Sequence, residues 1–482
     1  MEDTNDLKKK RYLQESSRSI RTLLKQKWFV VCLALILTGL GAALTGVLFS
    51  AGVNILDNWR LEILKELPAW IVLPTLCGLG GLISGLLITK LAPAASGSGV
   101  THIMSFLRHK PVPMGLKVGI IKLFAGIIAI GSGFPLGAEG PAVQMGGSVA
   151  WKMASLLKAP VAFRRVIVAA GGGAGIAAIF SAPIGGFIYA IEELLNSAKP
   201  VVLLLVVVTT FWADTWADVL QAIGIGGSKK GFDSVIGFQL EKQYDTVVTF
   251  LPVDLGYLIA LGIIIGILAE LYCTYVLTMQ HYGKILFQDK LILKMVLSGV
   301  FIGIMYSFLP DTFHNIGGLK NIIAKGEASS SIALSAFAVL FLTTGLASAS
   351  GAPGGLFYPM LILGGALGLA SGNWIEEITG HVPTTFIFAG MGAFVSACSR
   401  TPITAMFLAF ALTKDLLILK PILITCITSF LIARMFNKDS IYERQIFLEL
   451  RNNKQHKVCS QSSEGNINRR PFAAPLPPES QN

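Results

Sequence analysis

From Trp28 to Ser50 the chain runs without a single Asp, Glu, Lys or Arg. Trp70 to Leu91, Val201 to Val219, Leu255 to Leu277 and Leu293 to Leu309 are nearly as apolar. About 20 apolar residues of helix cross the ~30 Å hydrocarbon core of a bilayer. Continuous runs of this length, unlike the alternating strands of a barrel, predict an all-α integral membrane protein. Composition agrees: 53% of the 482 residues are hydrophobic and 14% charged, where soluble domains carry about 25% charge. The lipid bilayer is therefore an expected partner, and no soluble domain of workable size remains.

The net charge of +11 reads as topology and not as a nucleic-acid surface. Lys8 to Arg11, Arg18, Arg21, Lys25 and Lys27 precede the first span, and basic flanks stay cytoplasmic. Arg444, Arg451, Lys454, Lys457, Arg469 and Arg470 place the tail on the same side, which implies an even number of crossings. Trp28 to Ser50 is too long for a signal core and lacks a cleavage site, so it reads as a first span. Residues 1–27 read as a cytoplasmic amphipathic segment, 28–445 as the membrane domain, and 446–482 as a basic, largely disordered cytoplasmic tail. Residues 52–68 and 226–248 read as polar connections. Cys32, Cys77, Cys273, Cys398 and Cys426 fall in apolar segments without CxxC spacing and read as packing residues, with Cys459 alone in the tail.

An internal repeat organises the membrane domain. Gly133-x-Pro135-x-Gly137-x-x-x-Pro141, followed by Gly146-Gly147, recurs as Gly351-x-Pro353-x-Gly355-x-x-x-Pro359, followed by Gly364-Gly365, at an offset of 218 (351 − 133). Ala170-Gly171-x-Gly173-Ala174 recurs as Ala389-Gly390-x-Gly392-Ala393, at an offset of 219 (389 − 170). The halves are roughly 30–220 and 250–436. Carriers built of two repeats often hold their substrate where paired, broken helices point their N-termini at an anion. The broken segments here are Gly131–Gly147 and Gly351–Gly365.

The first of them carries Glu139, a lone carboxylate in apolar surroundings. A charge at membrane depth is costly and is a functional candidate by default. Gly137 to Pro141 has the glycine bend and early proline of a helix start, so Glu139 and an anion would compete for one electropositive place. An ordinary capping glutamate is the bland alternative, which the hydrophobic flanks disfavour.

Gly137-Ala138-Glu139-Gly140-Pro141, Gly355-Leu356-Phe357-Tyr358-Pro359 and Gly97-Ser98-Gly99-Val100-Thr101 resemble, in order, three motifs of the CLC chloride channels and proton/chloride antiporters. The resemblance covers roughly residues 28–445. It implies a fold of two inverted repeats of tilted and broken helices, assembled as a homodimer with one pore per subunit. It implies chloride and protons as substrates, no cofactor and no metal. Ser98, Gly99, Gly140, Leu356, Phe357 and Tyr442 would bind the anion, and Glu139 would be the gating, proton-carrying glutamate. Glu193 would be the internal proton glutamate, a residue of the antiporters that is apolar in the channels. Lys122 resembles a lysine that lends the pathway positive potential, against the plain reading that it snorkels to the surface. Glu192 reads as a solvated charge.

Three departures stand out. Ala138 replaces a basic residue beside the gating glutamate, Thr101 replaces a proline, and His102 stands where an acid is common. Glu270 lies unexpectedly in the apolar run Ile263–Val276, either paired at a dimer interface or solvated in a cavity. The resulting expectation is a chloride/proton antiporter in a bacterial plasma membrane, with both termini cytoplasmic. A passive proton-gated chloride channel of the same fold is the alternative. An intramembrane enzyme pairing Glu139 with Glu193 has no nucleophile motif, metal cluster or cofactor loop behind it.

Overall fold

The computed structural model describes residues 2–196, 199–225, 253–287, 290–314, 316–379, 384–413 and 416–451. The connection expected at 226–248, the tail beyond 451 and the side chains of 1–27 lie outside the described residues. The first repeat contains α1 (Glu2–Glu66), α2 (Ala69–Leu91), α3 (Val100–Leu107), α4 (Leu116–Ser132), α5 (Glu139–Leu156), α6 (Val161–Phe180), α7 (Pro183–Tyr189) and α8 (Pro200–Ala222). The second contains α9 (Asp254–Phe287), α10 (Leu291–Ser307), α11 (Ile316–Ala324), α12 (Ser330–Ser350), α13 (Phe357–Thr379), α14 (Thr384–Ser399), α15 (Pro402–Thr413) and α16 (Leu419–Phe436). A last helix, α17, covers 441–451. Seven helices among the described residues are long and apolar enough to cross a membrane. The protein is a multi-pass membrane protein.

The breaks fall where the sequence places them, and the two halves break alike. Gly133 (φ 119°) ends α4 and its equivalent Gly351 (φ 81°) ends α12. Both take the left-handed conformation that glycine adopts without steric cost. Ser181 (φ 47°) closes α6 and Arg400 (φ 62°) closes α14 in the same conformation, two residues before Pro183 and Pro402.

The halves meet through equivalent residues. On α2 and α10, a Cβ at Gly81 would lie 2.5 Å from the Met295 carbonyl oxygen, and a Cβ at Gly299 would lie 2.4 Å from the Cys77 carbonyl oxygen. The repeat offset of 218 maps Gly81 on Gly299 and Cys77 on Met295, so the two contacts are one contact seen twice. Pairing of i with j and j with i is the signature of a two-fold relation. Backbones this close, which only small residues permit, supply the dispersion contacts that hold helices together in lipid. Within each half the same economy recurs: Gly146 abuts Gly171 where α5 crosses α6, and Gly364 abuts Gly390 where α13 crosses α14.

One boundary differs from the expectation. Residues 52–66 are not a polar connection but the continuation of α1. Asp57 and Arg60, three residues apart on one face, form a buried ion pair there. Each supplies the counter-charge the other needs, so the helix carries both into the interior. Of the cysteines, Cys77, Cys273, Cys398 and Cys426 are buried as packing residues would be, whereas Cys32 is exposed.

Candidate functional site

The N-termini of α5 and α13 converge on one point from opposite directions. Between them the chain makes an isolated antiparallel bridge: Gly137 N–H donates to the Gly355 carbonyl and Gly355 N–H to the Gly137 carbonyl, both at 2.8 Å. Glu139, the first residue of α5, folds its side chain over this bridge and is 2% exposed. A Cβ at Gly137 or at Gly355 would stand 2.0 Å from a carboxylate oxygen, so glycine at both positions makes the room. Oε1 accepts the N–H of Phe357, the first residue of α13, at 2.5 Å. Oε2 has no hydrogen-bond partner among the described residues. A carboxylate thus occupies a place where two helix N-termini favour an anion.

The segment before α3 approaches the same point. Lys122 is fully buried, and its ammonium donates to the carbonyls of Ala95, at 3.0 Å, and Gly97. It therefore does not snorkel; it ties down the turn that carries Ser98. Gly97 N–H donates to the Gly351 carbonyl at 2.9 Å, a link into the second repeat. Gly97 (φ 69°) and Gly99 (φ 90°) give the turn its left-handed bends. A Cβ at Gly140 would lie 2.1 Å from the Ser98 carbonyl oxygen and 3.0 Å from its hydroxyl. That hydroxyl is a buried oxygen without a partner among the described residues. Leu356 and Phe357 are buried, and the Phe357 ring lies 6.3 Å from that of Phe180. Ser98, Gly99, Gly140, Leu356 and Phe357 thus gather around Glu139. His102, on α3, lies in the field of Lys122.

Glu193 stands apart, on a π-helical turn over Ala190–Leu195. Such turns are rare and are frequently found at functional sites. The carboxylate is buried and accepts the Ser440 hydroxyl at 3.3 Å. Ser440 also receives the N–H of Glu443 at 3.2 Å, and Glu443 pairs with Arg108. Two buried phenols, Tyr442 and Tyr189, each lie within electrostatic reach of both Glu139 and Glu193. Tyr189 went unread in the sequence, although it precedes Glu193 by four residues, the spacing that stacks side chains on one helix face.

Two acidic residues behave differently from their sequence reading. Glu192 is not a solvated charge: Oε2 accepts the N–H of Thr404 at 2.8 Å and its hydroxyl at 2.7 Å. It caps α15 of the other repeat, where free amides and the helix dipole favour a carboxylate. Glu270 is paired within its own chain, to Arg400 at 2.7 Å and Arg444 at 2.6 Å. Arg400 also donates to the carbonyls of Ala433 and Asn437. The cluster fastens α17, and with it Tyr442, to α9 and α14.

The profile of the family described as Voltage gated chloride channel matches residues 80–434. The chain belongs to that family. A similar family member, the H(+)/Cl(-) exchange transporter ClcA of Vibrio cholerae, is 29% identical over 446 residues, covering 88% of this chain and 91% of its own. The ClcA exchange transporter of Cronobacter sakazakii is 30% identical over 420 residues, covering 84% and 87%. Among solved structures, a slow cyanobacterial Cl-/H+ antiporter superposes with a TM-score of 0.77 at 26% identity, covering 89% of this chain and 99% of that one. Ala138, at the position the resemblance assigns to a basic residue, is buried.

Proposed function

We propose that this protein exchanges chloride for protons across a membrane, with Glu139 as both gate and proton carrier. The observation that carries the reading is the seat of the Glu139 carboxylate, on the Phe357 N–H and over the Gly137–Gly355 bridge. An anion entering this seat must displace the carboxylate, and a displaced carboxylate in apolar surroundings favours taking up a proton. Anion arrival and protonation thereby become one event. Ser98, Gly99, Gly140, Leu356 and Phe357 offer hydroxyl and amide donors without a lysine ammonium in direct contact, so binding stays weak enough for release. Lys122 contributes positive potential from behind the turn. Tyr442 closes the inner side of the anion path.

Glu193 is the inner proton acceptor. A bare proton charge does not cross an apolar interior, so a titratable group must meet it, and Tyr189 and Tyr442 lie within electrostatic reach of both carboxylates. The relatives named as H(+)/Cl(-) exchange transporters support the same reading. By the positive-inside rule both termini are cytoplasmic, and a bacterial inner membrane is the proposed location; a homodimer is the proposed assembly.

The test is Glu139→Gln in purified protein reconstituted into vesicles. Glutamine mimics the protonated side chain and carries no proton, so chloride flux should persist, lose its pH dependence and move no protons. Wild-type proton flux in the variant would falsify the assignment. Uncoupled chloride flux in the unmodified protein would favour a passive channel.

A further inference from the structure

Two neighbouring residues at the start of α17 tie that helix to different parts of the fold. Arg444 pairs with Glu270 on α9, and Glu443 pairs with Arg108 at the end of α3. The two ties differ in kind. In the Glu270 cluster the side chains of Arg400, Glu270 and Arg444 are 7%, 13% and 16% exposed. Those of Arg108 and Glu443 are 35% and 26% exposed. An ion pair this open to water is weak and readily exchanged for solvent, whereas a buried one is costly to break. The first tie is a fixed clamp, and the second can open.

Both ends of the open tie are set in rigid backbone. On α3, the Arg108 N–H donates to the Met104 carbonyl and the Lys110 N–H to the Ser105 carbonyl, both at 3.0 Å. Between them His109 takes the left-handed conformation (φ 60°), which closes the helix without the Arg108 side chain. On α17, the Ser440 N–H donates to the second Glu443 oxygen at 3.3 Å, and the Glu443 N–H to the Ser440 hydroxyl at 3.2 Å. This is a reciprocal cap of the first turn. Neither closure uses the guanidinium, so the ion pair adds one thing only, a link between α3 and α17.

What the link joins gives it a role. α3 starts two residues after Ser98 (100 − 98), and its Ile103 packs on Gly147 of α5, the helix that begins with Glu139. α17 opens with Ile441 and Tyr442, and the exchange reading puts Tyr442 on the inner side of the anion path. The Ser440 hydroxyl that caps α17 is also the one whose proton Glu193 accepts. The charged groups in reach of Glu193 are Glu443, Glu192 and Arg108, and Glu192 is already held by Thr404. The open pair therefore connects the helix behind Ser98 to the cap that the inner proton acceptor shares.

We propose that Arg108 and Glu443 are a positioning pair that latches the inner mouth of the anion path: joined, they hold α3 against α17, and parted, they let the two helices separate for chloride to pass. This rests on the exchange reading above and adds a link between its chloride and proton paths. An ionised Glu193 holds the Ser440 hydroxyl about twice as firmly as a neutral one, which keeps the cap ordered and Glu443 aimed at Arg108. Protonation of Glu193 loosens that hold and frees the latch.

The test uses the full chain in vesicles, with chloride turnover, proton flux and thermal unfolding in detergent read together. Arg108→Gln removes the ion pair and leaves the Ser440 cap and the Glu193 hydrogen bond in place. It should raise chloride turnover severalfold and lower the protons moved per chloride by a similar factor, with the unfolding temperature nearly unchanged. Arg108→Lys keeps the charge and should keep the wild-type ratio. In the Arg108→Cys, Glu443→Cys double variant, a short bis-maleimide cross-link should cut chloride turnover below the wild-type rate, with the unmodified protein treated alongside as control. A wild-type proton-to-chloride ratio in Arg108→Gln overturns the latch. A parallel fall of both fluxes marks the pair as structural and overturns it too. If the unmodified chain moves no protons, the exchange reading fails, and the chloride turnover of Arg108→Gln and of the cross-linked variant still decides the latch.

Discussion

The Phe357 N–H that Glu139 accepts belongs to the residue 218 positions along the chain, which is the period of the internal repeat. Glu139 is bonded to its own counterpart. The same holds for Gly137 and Gly355, which exchange both backbone hydrogen bonds, and for Leu136, which packs on Gly354. Equivalent residues touch only on a two-fold axis, so the axis relating the repeats passes through the seat of the Glu139 carboxylate. Because the paired segments run antiparallel, the two helix N-termini face each other across it. Symmetry therefore concentrates two positive helix ends at one point, and the asymmetry of Glu against Phe puts one carboxylate there instead of two.

Filling that room should disturb competition before it disturbs the fold. Gly355→Ala places a methyl 2.0 Å from Oε1 of Glu139 and 2.8 Å from the Gly140 nitrogen. The carboxylate must leave the Phe357 N–H, and the proton-to-chloride ratio should fall severalfold while the protein still purifies intact. Coupled flux in vesicles and monodispersity in detergent check both halves.

The sequence carried the repeat, the broken segments and the residues that gather around Glu139, because glycine and proline spacing is local and survives translation into helix starts. It did not carry partners supplied across the fold. Glu270 finds Arg400 and Arg444, 130 and 174 residues away. Glu192 caps a helix 212 residues on. Asp57 and Arg60 read as part of a polar connection because composition alone cannot say that an i, i+3 pair neutralises itself. Glu192 is settled by a helix of the other repeat and Glu270 by partners far along its own half, whereas the Asp57–Arg60 pair is local.

Glu193→Ala should uncouple and not inactivate. The anion seat uses none of its atoms, so chloride efflux should continue while chloride-driven proton uptake is abolished. Ser440→Ala removes only the hydroxyl that Glu193 accepts and should slow proton uptake more mildly. A parallel loss of both fluxes in Glu193→Ala would show that the residue is structural.

Glu270→Gln should destabilise the protein by about 1–3 kcal/mol, since it strips two partly buried guanidinium groups of their shared counter-charge. Thermal unfolding in detergent should register the drop. Because Arg444 stands two residues from Tyr442, chloride affinity should weaken as well, and an unchanged affinity at lowered stability would separate the clamp from the pore.

Proton movement driven by chloride tests the central claim most directly. Purified protein in chloride-loaded vesicles, diluted into low chloride with no proton gradient and with counter-ion current permitted, should draw protons inward as chloride leaves. Chloride efflux with no accompanying proton uptake, from protein competent in anion binding, would contradict coupled exchange and leave Glu139 as the gate of a passive pore.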